Sequence, residues 1–224
     1  MPQRKSKKIL IYFFLLIIVG SINNISINNF KIEKIKNINV LGLDNIDKKN
    51  LLKDLNSLNL KNIFFLNANS IKNIIEINPL IERYEIIKKY PNSLNIKIKK
   101  TKFLAKINHN GENFLIGNNG KLSKKNYFKE DLPYIFGKPQ IKDFLDFKKV
   151  LDRSNIKYED LKSLFYFESK RWDIRFKKNI LIKLPKDIKK ETLNVILTFL
   201  ENKNFKNLVI LDARIKNQMI IVNE

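Results

Sequence analysis

Hydrophobic and polar positions follow two different periods along this chain, and the switches between them mark its elements. An apolar run from Ile9 to Gly20, without a charge, follows the basic head MPQRKSKK. Beyond it Ile38 and Val40 alternate with polar neighbours and predict a strand that turns at Gly42. Leu51, Leu52 and Leu55 then recur at helical spacing behind the capping candidates Asp44 and Asp47. A second helix is expected in NANSIKNIIEINP, capped by Asn69 or Ser70, with Ile71, Ile74 and Ile75 on one face. Pro79 ends it, because the residue before a proline is pushed out of the helical region. LIERYEIIKKYP and NSLNIKIKK read as two strands joined at a Tyr-Pro-Asn-Ser turn. In the second strand Leu94, Ile96 and Ile98 share one side and Asn95, Lys97 and Lys99 the other. The predicted sheet therefore has one face under two helices and one in water.

From about residue 101 the pattern becomes richer in strands. Extended segments are expected around FLAKI and NFLIGNNGKLS, where Asn118, Asn119 and Gly120 tolerate the positive φ that tight hairpins need. PQIKDFLDFKKVLDRSN suits a helix through Ile141, Phe144, Leu145 and Leu151. RWDIRFKKNILIKLP is the clearest hairpin. Trp172, Ile174 and Phe176 alternate with Asp173, Arg175 and Lys177, Lys178 and Asn179 turn the chain, and Ile180, Ile182 and Leu184 return. The alternation gives Trp172 a core position rather than a place as an interface anchor. A helix carrying Ile188, Leu193, Ile196, Leu197 and Leu200 follows, and NLVILDARI and QMIIV close the chain as strands.

The apolar run is short for a bilayer, whose hydrocarbon core takes about 20 helical residues. A cleaved secretory signal competes with an uncleaved anchor, but the small-residue cleavage site is poor, so an anchor is expected. Arg4, Lys5, Lys7 and Lys8 place the N-terminus in the cytoplasm and the bulk of the chain outside. The resulting division is a cytoplasmic tail over 1–8, a transmembrane anchor over 9–24, a linker over 25–31, a compact α+β unit over 32–100 and a β-rich domain over 101–224 with an antiparallel sheet and flanking helices.

The net charge of +22 raises nucleic acid as a partner. Its lysines, however, are spread along the whole chain together with abundant Asn and Ile, as codon usage in an AT-rich genome produces. No aromatic-studded basic patch stands out, so nucleic acid is not expected. Catalytic chemistry is equally absent from the pattern. There is no cysteine, the single histidine, His109, sits in a polar NHNGE turn, and Glu130 and Asp131 suit solvated roles. No phosphate loop, nucleophile elbow or two-histidine metal motif occurs, so no catalytic residue, cofactor, metal or small-molecule substrate is expected.

The order of these motifs resembles the FtsQ/DivIB family of bacterial cell-division proteins. INVLGLDNIDKKNLL and NPLIERYEIIKKYPNSLNIKI resemble a POTRA domain, which the resemblance places at 32–100. GENFLIGNNGKLS, LPYIFG, RWDIRFKKNILIKLP and LDARI resemble the family's β domain, over 101–224. Lys99, Lys100, Phe103, Gly117 and Ala213 depart from the family's usual residues. The resemblance implies a non-enzymatic, single-pass inner-membrane protein with its bulk in the periplasm. It would act at the division septum, linking early and late division proteins and septal peptidoglycan synthesis by recruiting FtsB and FtsL. An exported POTRA chaperone for outer-membrane assembly is the alternative. It also implies that FtsB adds a segment to the last strand, which makes Arg214, Gln218, Met219, Ile220, Ile221 and Val222 the candidate partner-binding residues. Physically, QMIIV offers unpaired backbone groups if it lies at a sheet edge, and otherwise closes the fold; one strand can do both.

Overall fold

The computed structural model describes residues 7–22, 34–58, 60–124, 131–201, 208–216 and 218–223. Helix α1 (Lys7–Ile22) is apolar around its whole circumference, and its side chains from Ile9 to Val19 are exposed. At 1.5 Å per residue its 16 residues reach about 24 Å, against about 30 Å of bilayer hydrocarbon. Among the described residues no helix is long and apolar enough to cross a membrane. The described part of the anchor expected over 9–24 is thus helical but not at spanning length, and residues 23 and 24 and the expected linker lie outside the described residues.

The next unit runs β1 (Asn37–Leu41), α2 (Asn45–Ser57), α3 (Ala68–Ile77), β2 (Ile81–Lys89) and β3 (Ser93–Lys100). Its sheet has the order β1-β3-β2, with β1 parallel and β2 antiparallel to the central β3. Leu94, Ile96 and Ile98 are buried against Leu51, Leu55, Ile71 and Ile75 of the two helices, while Lys97 and Lys99 are exposed. Alternation in β3 is clean because water covers the other face. Helix α3 starts earlier than its pattern suggested: Asn67 is the cap, accepting from the Asn69 backbone N–H at 3.0 Å.

The second domain comprises β4 (Phe103–His109), β5 (Glu112–Gly117), β6 (Leu122–Ser123), β7 (Tyr134–Phe136), α4 (Ile141–Asp152), β8 (Leu161–Tyr166), β9 (Trp172–Phe176), β10 (Leu181–Lys183), α5 (Lys190–Glu201), β11 (Leu208–Asp212) and β12 (Ile220–Asn223). All nine strands form one sheet, ordered β12-β11-β10-β9-β8-β7-β4-β5-β6. It is mixed rather than antiparallel as expected: β7 pairs parallel with β4 and β8, and β10 with β11. The reason is connectivity, since α4 carries the chain from β7 to β8 and α5 from β10 to β11, and helical crossovers return strands in the same direction. Both helices pack on one face. Phe144, Phe147, Leu151, Leu193 and Ile196 cover Ile135, Leu164, Trp172, Ile174, Ile182 and Leu211. Trp172 is a core residue there, stacked on Phe147 with centroids 4.8 Å apart.

The two domains meet at the end of the first sheet where β3 leads into β4. Leu80, Phe103 and Leu115 form a buried apolar cluster, which Leu132 flanks. Around it the Asn119 amide donates to Pro79 O at 3.0 Å, Ile81 O at 2.9 Å and Thr101 Oγ1 at 2.8 Å, and its Oδ1 accepts from the Lys121 backbone. Lys121 Nζ reaches the Glu76 carbonyl. Glu82, with a side chain 13% exposed, accepts from Lys99 at 2.8 Å and Asn118 at 2.9 Å. The residues that depart from the family pattern therefore have local roles: Lys99 pairs with Glu82, Lys100 with Asp44, and Phe103 fills the cluster.

The hydrogen bond from Lys99, then that from Asn118, holds the Glu82 carboxyl below its usual range. A depressed folded pKa contributes stability that is complete above the unfolded value, about 4.3, and is lost as pH falls through the folded one. Acid should accordingly loosen the domain junction below about pH 4, and Glu82→Gln should remove that part of the pH dependence. Hydrogen exchange at the Thr101 amide, which donates to Leu80 O at 2.8 Å, reads this directly. Identical acid profiles for the two chains would refute it.

Candidate functional site

Among the described residues strand β12 is the last strand of its sheet, with β11 as its only neighbour. The pair is antiparallel, with Asp212 opposite Ile220, Leu211 opposite Ile221 and Ile210 opposite Val222. Of each edge strand's backbone N–H and C=O groups, those turned outward have no ladder partner and can template another strand. Side chains alternate about this strand. Ile221 and Met219 pack against the core, whereas Ile220 and Val222, 53% and 47% exposed, point to the face opposite the helices.

That opposite face is continuous through the cross-strand register. Val222, Ile210, Leu181 and Arg175 form one row, and Ile220, Asp212, Lys183 and Asp173 the next. Toward the middle of the sheet Phe136 and Phe165 stack at 5.0 Å, and the Arg175 guanidinium lies 5.3 Å from the Phe165 ring centroid. Phe136 and Phe167 are exposed. The face is apolar near the edge and aromatic toward its centre, with charged groups between.

Two of those charged groups, Asp212 and Asp173, are held by arginines. Arg214 forks onto Asp212, with Nε donating at 2.8 and 2.9 Å and Nη2 at 2.5 Å. Its hydrogen bonds hold the Asp212 carboxyl below the usual range. Asp173 is 3% exposed, accepts from Arg171 Nε at 3.2 Å and from the Leu184 backbone at 3.2 Å, and burial outweighs these bonds to raise its carboxyl. The strand alternation put Asp173 on the side opposite Trp172 and Ile174. It is buried because β9 lies in the middle of a wide sheet, where the side chains of neighbouring strands roof it over.

Arg214, Gln218 and Met219 line a groove of about 710 Å³ beside the start of β12, whose other wall is the first half of α5. Val195 and Ile215, both more than half exposed, give it apolar flanks. The six residues singled out in the sequence are thus brought together as one rim, with Arg214, Gln218 and Met219 at the groove and Ile220, Ile221 and Val222 along the edge. Sequence reasoning missed Val195 and Ile215. Val195 falls off the buried stripe of Leu193 and Ile196, and an apolar residue out of phase on a helix is the mark that could have found it.

Among the described residues the other candidates from the sequence do not converge on a site. His109 ends β4 in the open, 6.2 Å from the Phe114 ring, and Asp131 is exposed and ion-paired with Lys177; Glu130 lies outside the described residues. Among the described residues no group of three or more His, Cys, Asp or Glu is placed to hold a metal ion.

Comparison with known proteins gives a consistent outcome. Residues 33–100 match the family model of the FtsQ-type POTRA domain, and residues 105–214 that of the C-terminal region of cell division protein FtsQ/DivIB. A cell division protein FtsQ of Rickettsia bellii is 27% identical over 203 residues, covering 84% of this chain and 72% of that protein. The FtsQ of Rickettsia felis is 29% identical over the same length. Cell division protein DivIB of Clostridium tetani is 31% identical over 131 residues, 58% of this chain and 49% of its own. Two matched segments in this order, on the sheet topologies described above, establish that the chain belongs to the FtsQ/DivIB family of cell division proteins.

Proposed function

We propose that this protein is a non-enzymatic scaffold of the division septum that binds FtsB and FtsL and thereby couples early division proteins to septal peptidoglycan synthesis. The observation that carries the reading is the edge of β12, open among the described residues, with Ile220 and Val222 exposed on one face of the sheet and the groove at Arg214 and Met219 on the helix side. A strand laid antiparallel or parallel along this edge gains main-chain hydrogen bonds, and the side chains that flank it supply specificity. The groove takes what precedes or follows such a strand.

Helix α1 is the proposed single-pass anchor in the inner membrane, its N-terminus in the cytoplasm and the two domains in the periplasm. A helix apolar all round and exposed all round has no use for a polar solvent, and the flanking Arg4, Lys5, Lys7 and Lys8 set the orientation.

The test is co-purification of the full chain, in mild detergent, with FtsB and FtsL from the same organism. Retention of both through a moderate-salt wash is expected. Retention of neither by a folded chain would remove FtsB and FtsL as partners and leave the fold and family assignment untouched.

A further inference from the structure

The end of the POTRA domain remote from the β domain is rich in exposed aromatic rings and lysines. Three segments meet there: the chain arriving from α1 at Lys34, the loop after α2, and the turn between β2 and β3. They are tied together by backbone hydrogen bonds from Ile35 N to Lys61 O at 3.2 Å and from Lys36 N to Asn92 O at 2.9 Å, and by the bridge between Lys34 and Asn62. Asn62 Oδ1 accepts from the backbones of Phe64 and Phe65, which turns both rings outward. Phe64, Phe65 and Tyr90 are 50%, 74% and 61% exposed, and the Phe64 and Tyr90 rings lie 5.1 Å apart. The same three segments carry Lys34, Lys36, Lys61, Lys88 and Lys89, and among their described residues there is no Asp or Glu.

We infer that this aromatic and lysine-rich pole docks on the anionic headgroup surface of the bilayer that holds α1. The inference rests on the proposed anchoring. Three features select a lipid surface over a protein partner. Position is the first: covalent geometry lets the chain from Ile22 to Lys34 span at most about 40 Å, so this pole, and not the β domain at the other end, is the part held beside the membrane. Chemistry is the second, because aromatic rings with a polar or cationic neighbour favour the headgroup region, and clustered lysines next to a membrane segment are attracted to anionic lipid. The third is the lack of carboxylates among the described residues of the pole, where a surface built to meet a mixed-charge protein would carry both signs. Docking would set the long axis of the POTRA domain upright on the membrane and hold the β12 edge at a fixed height above it.

The chain has no cysteine, so a single thiol can report on one place. An environment-sensitive fluorophore is attached at Phe65→Cys, and in a separate chain at Lys178→Cys in the β9–β10 turn, with the full protein reconstituted into vesicles of phosphatidylcholine with or without phosphatidylglycerol. Expected is a blue shift and quenching by nitroxide-labelled headgroups at position 65 only in vesicles containing phosphatidylglycerol, reversed by salt, with position 178 remaining aqueous. Neutralising Lys61 and Lys89 with Gln should lower the docked-to-free ratio about five-fold for each lysine at low salt. A chain that floats with the vesicles while position 65 stays aqueous in both lipids overturns the inference, as does an equal shift in both. A chain that does not float at all overturns the anchoring, and the inference with it.

Discussion

Asn119→Leu should split the unfolding of this protein into two transitions, with a loss at the junction of about 3 kcal/mol. The reason is the number of partners that one side-chain amide serves. Its nitrogen lies within 3.0 Å of Pro79 O, Ile81 O and Thr101 Oγ1, acceptors contributed by the end of one domain and the connection to the next. Leucine has nearly the same volume but no donor, so these acceptors are left facing an apolar group, at about 1–3 kcal/mol for each one buried. Two N–H groups cannot fully satisfy three acceptors, which keeps the total near the lower end of that range. For a chain of this size such a loss moves the junction-dependent transition by about 6–12 °C. Gly117 makes the site hard to repair: a Cβ there would lie 2.4 Å from Thr101 Cγ2 and 2.5 Å from Asn119 Oδ1, so no neighbouring side chain can supply a substitute donor from that position. Calorimetry of the wild type and of Asn119→Leu, with Asn113→Leu on an exposed hairpin as control, decides the matter. A shift below about 2 °C would mean that Leu80, Phe103 and Leu115 hold the junction without help.

Asn119 also shows where the sequence stopped being legible. Its Asn-Asn-Gly context marks a turn, and Gly120 does adopt a positive φ of 75°. Nothing in that local pattern says that the turn will lie against the Pro79–Ile81 segment, nearly 40 residues earlier. Local periodicity was sufficient for β3, where Leu94, Ile96 and Ile98 alternate against solvated lysines, because one of its faces meets water. In β9 it located the strand and the inward Trp172, Ile174 and Phe176 but did not reveal the burial of Asp173 on the other side. Strand alternation encodes only which side a residue takes, whereas the surroundings of Asp173 on the far side include Lys183 and Arg214, which the strand order and its register bring near. The same limit explains the mixed sheet. Whether β11 joins β10 parallel or antiparallel is set by the α5 crossover, and a hydrophobic repeat of two residues reads identically in both directions. At the candidate site the edge strand itself was legible as a short apolar terminal segment. The groove beside it was not, since Val195 and Ile215 belong to separate elements that only the fold brings together.

If FtsB adds a strand to β12 as proposed, a proline in β12 should abolish its capture at one of two adjacent positions while leaving the protein folded. Along a strand the N–H groups of successive residues point alternately to the two sides, so one of Ile220 and Ile221 directs its N–H toward β11 and the other toward the open edge. Proline at the inward position removes a bond of the β11–β12 ladder and releases the strand. Proline at the outward position leaves that ladder intact but deletes a donor from the edge and places its ring where an added strand would lie. The side chains separate the two effects further. Ile221 packs on the core, so Ile221→Pro also loses apolar contact, whereas Ile220 is 53% exposed and its replacement costs the core little. Two variants with both side chains kept apolar complete the set: Ile220→Val and Ile221→Val retain every backbone donor and should bind as the wild type does, within about two-fold, if main-chain bonds carry the affinity. Loss of a donor and steric exclusion together should lower affinity at least about a hundred-fold, because a ladder interrupted near its centre cannot propagate to either side. Titration of the full chain with the exported segment of FtsB measures this, with circular dichroism reporting the fold. If both proline variants remain folded and both bind as tightly as the wild type, the added strand does not lie on β12, and the exposed face from Val222 to Phe136 becomes the surface to probe next.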